Sequence, residues 1–270
     1  VETIPPLLMG GVRFVLAGGI LYAWFRLRGA PGASWKSWGL AFGTGALLLL
    51  GANGGLTWAQ TRVASGWASL LIATVPLWMA LLDWIRPGGK RPPAAVWLGI
   101  GLGFSGVVVL VRPDPADLTS HVDIAATAAL LGSALSWSVG SLWSKSLTLH
   151  PVPLAATAMQ MTAGGILLSI SACLAGETSG FSPVQVSERS AWAFLYLLTF
   201  GSIVGFSCYI YVLRATTPAR SSTYAYVNPL VALFLGWWLA HEAITASVGT
   251  AAALILSGVA CILVPRSKVG

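Results

Sequence analysis

The chain has 270 residues, 56% of them hydrophobic and only 9% charged, with a mean hydropathy of +0.79. An ordinary soluble domain carries about 25% charged residues, so this chain lacks the polar side chains to cover a water-soluble surface, which excludes a soluble enzyme and a disordered chain. The net charge of +7 reads by position, as a topology signal, and not as a nucleic-acid footprint.

A membrane-spanning helix needs about 20 apolar residues. Nine windows meet that length: 4–25, 37–59, 64–82, 94–111, 124–144, 152–175, 191–213, 221–240 and 244–265. They leave fewer than a third of the residues for all connections, too few for a soluble domain. Helices are expected over a barrel, whose strands alternate and run only about 10 residues. The fold class is therefore an all-α polytopic membrane protein.

The first window holds Arg13, the one Lys or Arg inside any window. It has two readings: an anion partner for a substrate carboxylate, or a side chain that snorkels or caps backbone carbonyls. The second holds Asn53 in the run Gly51-Ala52-Asn53-Gly54-Gly55, where its amide suits a hydroxylated or zwitterionic solute or else an interhelical hydrogen bond. The third contains Pro76, preceded by Thr74; a proline removes a backbone donor and kinks the span. Gly99, Gly103 and Gly106 in the fourth have the small-residue spacing of helix packing. In the fifth, Trp137 and Ser138 are central, and the indole can stack on a solute or pack against lipid and helices. Ser207 and Tyr211 share a face of the seventh at i, i+4 spacing. The eighth carries Tyr226, Asn228 and Pro229, with Tyr226 nearer the centre than Tyr224. Trp24, Trp58, Trp84, Trp143 and Trp192, near window ends, read as interfacial anchors. Cys173, Cys208 and Cys261 sit in apolar runs without paired spacing and are expected as core residues, not as a disulfide or metal set.

Basic residues alternate by side. Arg26, Arg28, Lys36, Arg86, Lys90, Arg91, Lys145, Arg214, Arg220, Arg266 and Lys268 fall on one side, against Arg62, Arg112 and Arg189 on the other. The positive-inside rule then places residue 1 on the periplasmic side and the C-terminus in the cytoplasm.

The chain also repeats itself. The segment AGGIL recurs at 17–21 and 163–167, Thr-Val-Pro-Leu at 74–77 resembles Val-Asn-Pro-Leu at 227–230, and Ser-Gly-Val recurs at 105–107 and 257–259. The offsets, 146, 153 and 152, nearly agree. Windows six to nine therefore mirror windows one to four, and the fifth has no partner. Its partner is expected before Val1, as a missing first helix, so that each half has five helices and the halves are inverted. Pro76 and Pro229 are matched interruptions, the sequence feature that points best to a transport site.

PPLLMGGVRF (5–14), VASGWASLLIATVPLWMALL (63–82), YAYVNPLVALFLGWWLAHE (224–242) and SGVACILV (257–264) resemble the EamA branch of the drug/metabolite transporter (DMT) superfamily, closest to its bacterial inner-membrane permeases. The resemblance implies a ten-helix inverted five-helix repeat, with residues 1–113 as the first EamA repeat, lacking its first helix, and 122–265 as the second. It implies both termini in the cytoplasm and a central cavity lined by family helices 1, 3, 4, 6, 8 and 9. The family's acid closing the ninth helix is present as Glu242, whereas the first half reads Arg86-Pro87-Gly88-Gly89-Lys90 there, without an acid.

Enzyme motifs are absent: no carboxylate pair lies at depth, no P-loop is present, and His121, His150 and His241 lie at window ends. The expected activity is that of a secondary transporter exporting small metabolites, amino acids or similar amphiphiles, across a bacterial inner membrane by alternating access. The alternatives are efflux of drugs or lipophilic cations, a passive facilitator or channel, and a packing subunit without transport. The expected substrate-binding residues are Arg13, Asn53, Thr74, Pro76, Trp137, Ser138, Ser207, Tyr211, Tyr226, Asn228 and Pro229. No cofactor, metal or nucleic acid is expected. The partners are membrane lipid and a small-molecule substrate, with a homodimer left open.

Overall fold

The structure, a computed structural model, describes residues 3–63, 65–111, 123–179, 181–228, 231 and 246–263. Pro229, Glu242, His121, His241 and most of the eighth window lie outside the described residues.

Among the described residues, helices form where the sequence is apolar enough. They are α1 (Pro6–Leu27), α2 (Trp35–Gln60), α3 (Ser65–Ile72), α4 (Val75–Ile85), α5 (Ala94–Val111), α6 (Ile124–Ser146), α7 (Pro153–Leu174), α8 (Glu188–Ala215), the short α9 (Pro218–Ser221) and α10 (Ala246–Leu263). No strand occurs among the described residues. Six helical stretches are long and apolar enough to cross a bilayer, and two shorter ones, Ala94–Val109 and Gly249–Leu263, fall on the fourth and ninth windows. The third span reaches further than its window: α4 continues to Ile85 and takes in Asp83, which pairs with Arg86 at 2.7 Å.

The helix ends are set by local chemistry. Pro6 and Pro153 open α1 and α7, where a missing N–H leaves no helical bond unmade. Both helices run into a glycine with positive φ, Gly29 (85°) and Gly176 (77°), at matching places in the two repeats. Ser34 and Ser187 cap α2 and α8 by accepting from the amides of Ser37 (3.1 Å) and Ser190 (3.2 Å). Asp123, just ahead of α6, accepts from the Ala126 amide at 3.0 Å and pairs with Arg62 at 3.5 Å, contacts that hold its carboxyl below the usual range.

The chain folds as two compact units, each drawing on both halves of the sequence. Unit 1 takes Val1–Thr61 and Leu135–Ala215; unit 2 takes Arg62–Ala134 and Thr216–Gly270.

In unit 1, α7 is the most enclosed helix, with Ala155, Ala156, Ala158, Ala163, Gly164 and Gly165 among its buried residues. Its main partner is α1, the helix that carries the other AGGIL copy. Gly11 lies against Ser169, Gly165 against Val15, and Gly18 against Thr162 and Ala158. Residue numbers rise along one helix as they fall along the other, so the repeat-related helices run antiparallel. In unit 2, α5 and α10, which carry the two Ser-Gly-Val copies, pair in the same way: Gly99 meets Ile262 and the Gly258 carbonyl, and Gly106 meets Ile255 and Ala251. Two antiparallel pairs of repeat-equivalent helices are what an inverted repeat requires. Small residues at these contacts let backbones approach closely, which drives helix association where water does not.

A second symmetry is not visible in the sequence. Within α2 the segment Ala46–Gly54, and within α8 the segment Leu197–Phe206, wind as π-helix. They occupy matching positions of the two repeats. The Asn53 amide donates to the Leu48 carbonyl at 2.9 Å inside the first of them, so its bond is made within its own helix and not between helices. The expected kink at Pro76 takes the form of a break: α3 ends at Ile72, Ala73 and Thr74 form a turn, and α4 starts with Pro76 in its first turn.

One long-range cap ties the start of α1 to the loop after α7. The Glu177 carboxylate accepts from the Leu7 (3.3 Å) and Leu8 (2.9 Å) amides, two of the donors a helix start leaves unpaired. We expect Glu177→Ala to destabilise the folded protein by about 1 kcal/mol, read as a lower melting temperature in detergent, and Glu177→Gln by less. Equal melting temperatures for Glu177→Ala and the parent would show that this cap does not hold α1.

Candidate functional site

The site is built on α8, at and just after its π segment, with α1 and α6 supplying the facing side chains within unit 1. A π turn is rare and recurs at functional sites, because it changes which side chains share a helix face. Here it precedes an aromatic cluster. The Phe206 ring lies edge-on to Phe14 of α1 (centroids 6.2 Å apart) and to Trp137 of α6 (6.3 Å). Tyr209 sits beside Trp137 at 4.8 Å and shares a 2.6 Å hydroxyl hydrogen bond with Ser141 of α6, whose hydroxyl also lies 2.6 Å from the Trp137 carbonyl. Edge-on and tilted pairs at these separations are the favoured aromatic arrangements.

Arg13 borders this cluster. Its guanidinium stacks on the Phe14 ring at 4.5 Å and fills the space where a side chain on residue 201 would begin, Nη1 lying 3.2 Å from a Cβ built on Gly201. It therefore crosses from the interior of α1 to the interior of α8 and does not extend toward a helix end. The snorkelling reading is not the conformation seen. A charged side chain at the centre of a spanning helix costs about 2.5 to 3.5 kcal/mol even on insertion scales. Among the described residues no carboxylate pairs with Arg13, and its buried Nε has no hydrogen-bond partner. Four further buried groups of the same helices have no hydrogen-bond partner: Trp137 Nε1, Ser202 Oγ, Ser207 Oγ and, near the end of α8, Arg214 Nε. Buried polar groups are nearly always hydrogen-bonded, so five exceptions on three packed helices make this cluster a candidate site, with Gln160 Oε1 and Trp78 Nε1 as further exceptions elsewhere among the described residues.

The sequence-derived candidates divide. Arg13, Trp137, Ser138 and Ser207 lie on the helices of this cluster, Ser138 fully buried on α6. Tyr211 is 69% exposed, and the tyrosine inside is Tyr209. Asn53 belongs to the other π segment. Thr74, Pro76, Tyr226 and Asn228 belong to unit 2. There the Thr74 hydroxyl donates to Leu71 O at 2.6 Å, Pro76 is buried, and Asn228 is exposed. Tyr226 is fully buried; its ring lies against Gly103 and its hydroxyl donates to the Ile100 carbonyl at 3.3 Å, a packing role on α5. The glycines of α5 are thus packing residues, as their spacing suggests. Cys173 and Cys208, expected in the core, are exposed on α7 and α8, and Cys261 is half-buried. Lipid accepts a thiol as readily as a core does, so an apolar setting alone does not separate the two.

One buried polar cluster has no counterpart among the sequence candidates. Gln160 of α7, fully buried, donates from Nε2 to Thr44 Oγ1 of α2 (3.0 Å) and Ser144 Oγ of α6 (2.7 Å). A search of the windows for ionisable groups passes over a neutral amide, although an amide at that depth carries the same warning. Nearby, Arg214 of α8 donates to the Ser144 carbonyl in the last turn of α6 (3.5 Å) and to the Leu147 carbonyl just past its end (3.4 Å), a favourable place for a cation.

Known proteins match this architecture and sequence. A solved crystal structure superposes with a TM-score of 0.80 over 97% of this chain and 88% of its own, at 21% identity, which speaks to the fold alone. The uncharacterized inner membrane transporter YedA of Escherichia coli K12 is 38% identical over 91% of this chain and 77% of its own length. The uncharacterized transporter YvbV of Bacillus subtilis is 26% identical over 98% and 84%. A probable terminal-alkyne amino-acid exporter of Streptantibioticus cattleyicolor is 28% identical over 68% of this chain and 59% of its own. The EamA-like transporter family matches twice, over residues 1–112 and 124–264. With nearly the whole chain covered by that family and by its relatives, the protein belongs to the EamA-like transporter family of the DMT superfamily and is a multi-pass membrane transporter.

Proposed function

We propose that this chain is a secondary carrier that moves small amphiphilic metabolites, amino acids or compounds like them, out of the cell by alternating access. The observation that carries the reading is the unit 1 cluster: an aromatic wall of Phe206, Trp137 and Tyr209 beside unpartnered donors on Arg13, Trp137, Ser202 and Ser207. An apolar wall with a few placed polar groups is the usual make-up of a small-molecule site. The relative named as a probable terminal-alkyne amino-acid exporter supports the metabolite class. Residues 1–113 and 122–265 form the two EamA repeats in this proposal, with residue 1 periplasmic and the C-terminus cytoplasmic. The breaks at Pro76 and, by sequence, Pro229 are the places where the helices flex as access alternates. Thr74 and Asn228 then act through this flexing, and Asn53 through the first π segment.

The test is exchange in proteoliposomes with a panel of aromatic amino acids, threonine, homoserine and a lipophilic cation. Saturable exchange of one or more of the amino acids is expected. Exchange of the cation alone would replace the metabolite reading by drug efflux.

A further inference from the structure

We infer that the unit 1 site is built for an organic anion, a carboxylate attached to an aromatic or apolar body, and not for a cation. This rests on the carrier reading above and narrows its substrate class. The groups left unpartnered at the site all offer protons: Arg13 Nε, Trp137 Nε1, and the hydroxyls of Ser202 and Ser207, which donate or accept. Arg13 brings a permanent positive charge. No Asp or Glu among the described residues pairs with it or stands in the aromatic cluster. An ammonium group could take only the hydroxyls and ring faces as partners and would meet the like charge of Arg13 with no carboxylate among the described residues to offset it, whereas a carboxylate would meet a guanidinium, charge-assisted donors and a low-dielectric surrounding that strengthens both.

The geometry gives the anion an orientation. Gly201 leaves open the space that the guanidinium occupies, so Arg13 is held against α8 at its π segment. Phe206 follows on the same helix and leads to Trp137 and Tyr209. A carboxylate on Arg13, whose guanidinium stacks on Phe14, would therefore place an attached ring along Phe206 toward Trp137.

Three compounds with one ring and different charge test this: 3-phenylpropionate, phenylalanine and phenethylamine, in counterflow with the full transporter in proteoliposomes, with protein-free liposomes as the leak control. The wild-type protein is expected to exchange the anion fastest, the zwitterion more slowly and the cation at least tenfold more slowly than the anion. At equal folded yield, Arg13→Gln should lower anion exchange at least tenfold, and Arg13→Lys should restore part of it because the charge returns without the planar fork. The wild-type series requires no variant, so a poorly folding Arg13→Gln does not weaken the test. Equal exchange of the three compounds, preference for the cation, or an Arg13→Gln protein with unchanged preference would overturn the inference and leave the carrier reading standing. Absence of saturable exchange for these and for the amino-acid panel, from folded protein, would overturn both.

Discussion

Gly18→Leu should remove most of the folded protein, while Gly19→Leu, one residue along the same helix, should leave it nearly unchanged. A Cβ on residue 18 alone would stand 2.5 Å from the Thr162 amide nitrogen and 2.6 Å from the Ala158 carbonyl, whereas one on residue 19 meets nothing within 4 Å. The obstacles at Gly18 are backbone atoms of α7, so the conflict cannot be relieved by rotating a side chain. Overpacking costs about 1–3 kcal/mol and more where backbone must move, and a leucine here forces apart the two helices around which unit 1 is built. The same contrast applies in unit 2 between Gly258→Leu, which would meet Gly103 N and Gly99 O at 2.6 Å, and Gly101→Leu, which meets nothing. Size-exclusion yield and melting temperature in detergent read the result. Comparable loss from Gly18→Leu and Gly19→Leu would contradict the antiparallel pairing of α1 and α7.

Trp137→Ala should have the largest effect on transport. The indole touches both Phe206 and Tyr209, so removing it takes away the middle of the aromatic wall. At least a tenfold rise in KM for the transported solute is expected, since one aromatic stacking contact contributes on the order of 1 kcal/mol and the lost buried surface adds to it. Trp137→Phe separates structure from recognition. It keeps a ring for packing and removes Nε1, which has no partner in the protein. A purely structural role leaves Trp137→Phe with parental KM; a role in holding the solute raises KM with little change in melting temperature.

The fold was legible because lipid imposes length and composition on every span: the described helices fall on the sequence windows, and the AGGIL and Ser-Gly-Val copies mark the helices that pack against each other. Where the windows failed, the reason is local. The third stops at 82 because a charged residue follows, yet Asp83 stays helical by pairing with Arg86. The site was legible only in part. Arg13 and Trp137 stand out by cost and size. Tyr209 does not, because no periodicity links it to Trp137, and α-helical spacing on α8 favours Tyr211 instead. The π segments leave no trace in runs that are apolar on all sides, although glycines at 51, 54, 201 and 205 lie within them. Gln160 shows the converse case, a polar residue in plain view whose partners Thr44 and Ser144 only the fold brings together.

The central claim, a carrier and not a pore, is tested most directly by the effect of internal solute on uptake of the same labelled solute into proteoliposomes. A carrier returns loaded faster than empty or exchanges only when loaded, so preloading should accelerate uptake and the rate should saturate with external concentration. Uptake that rises in proportion to concentration and ignores preloading would identify a passive conduit and contradict alternating access.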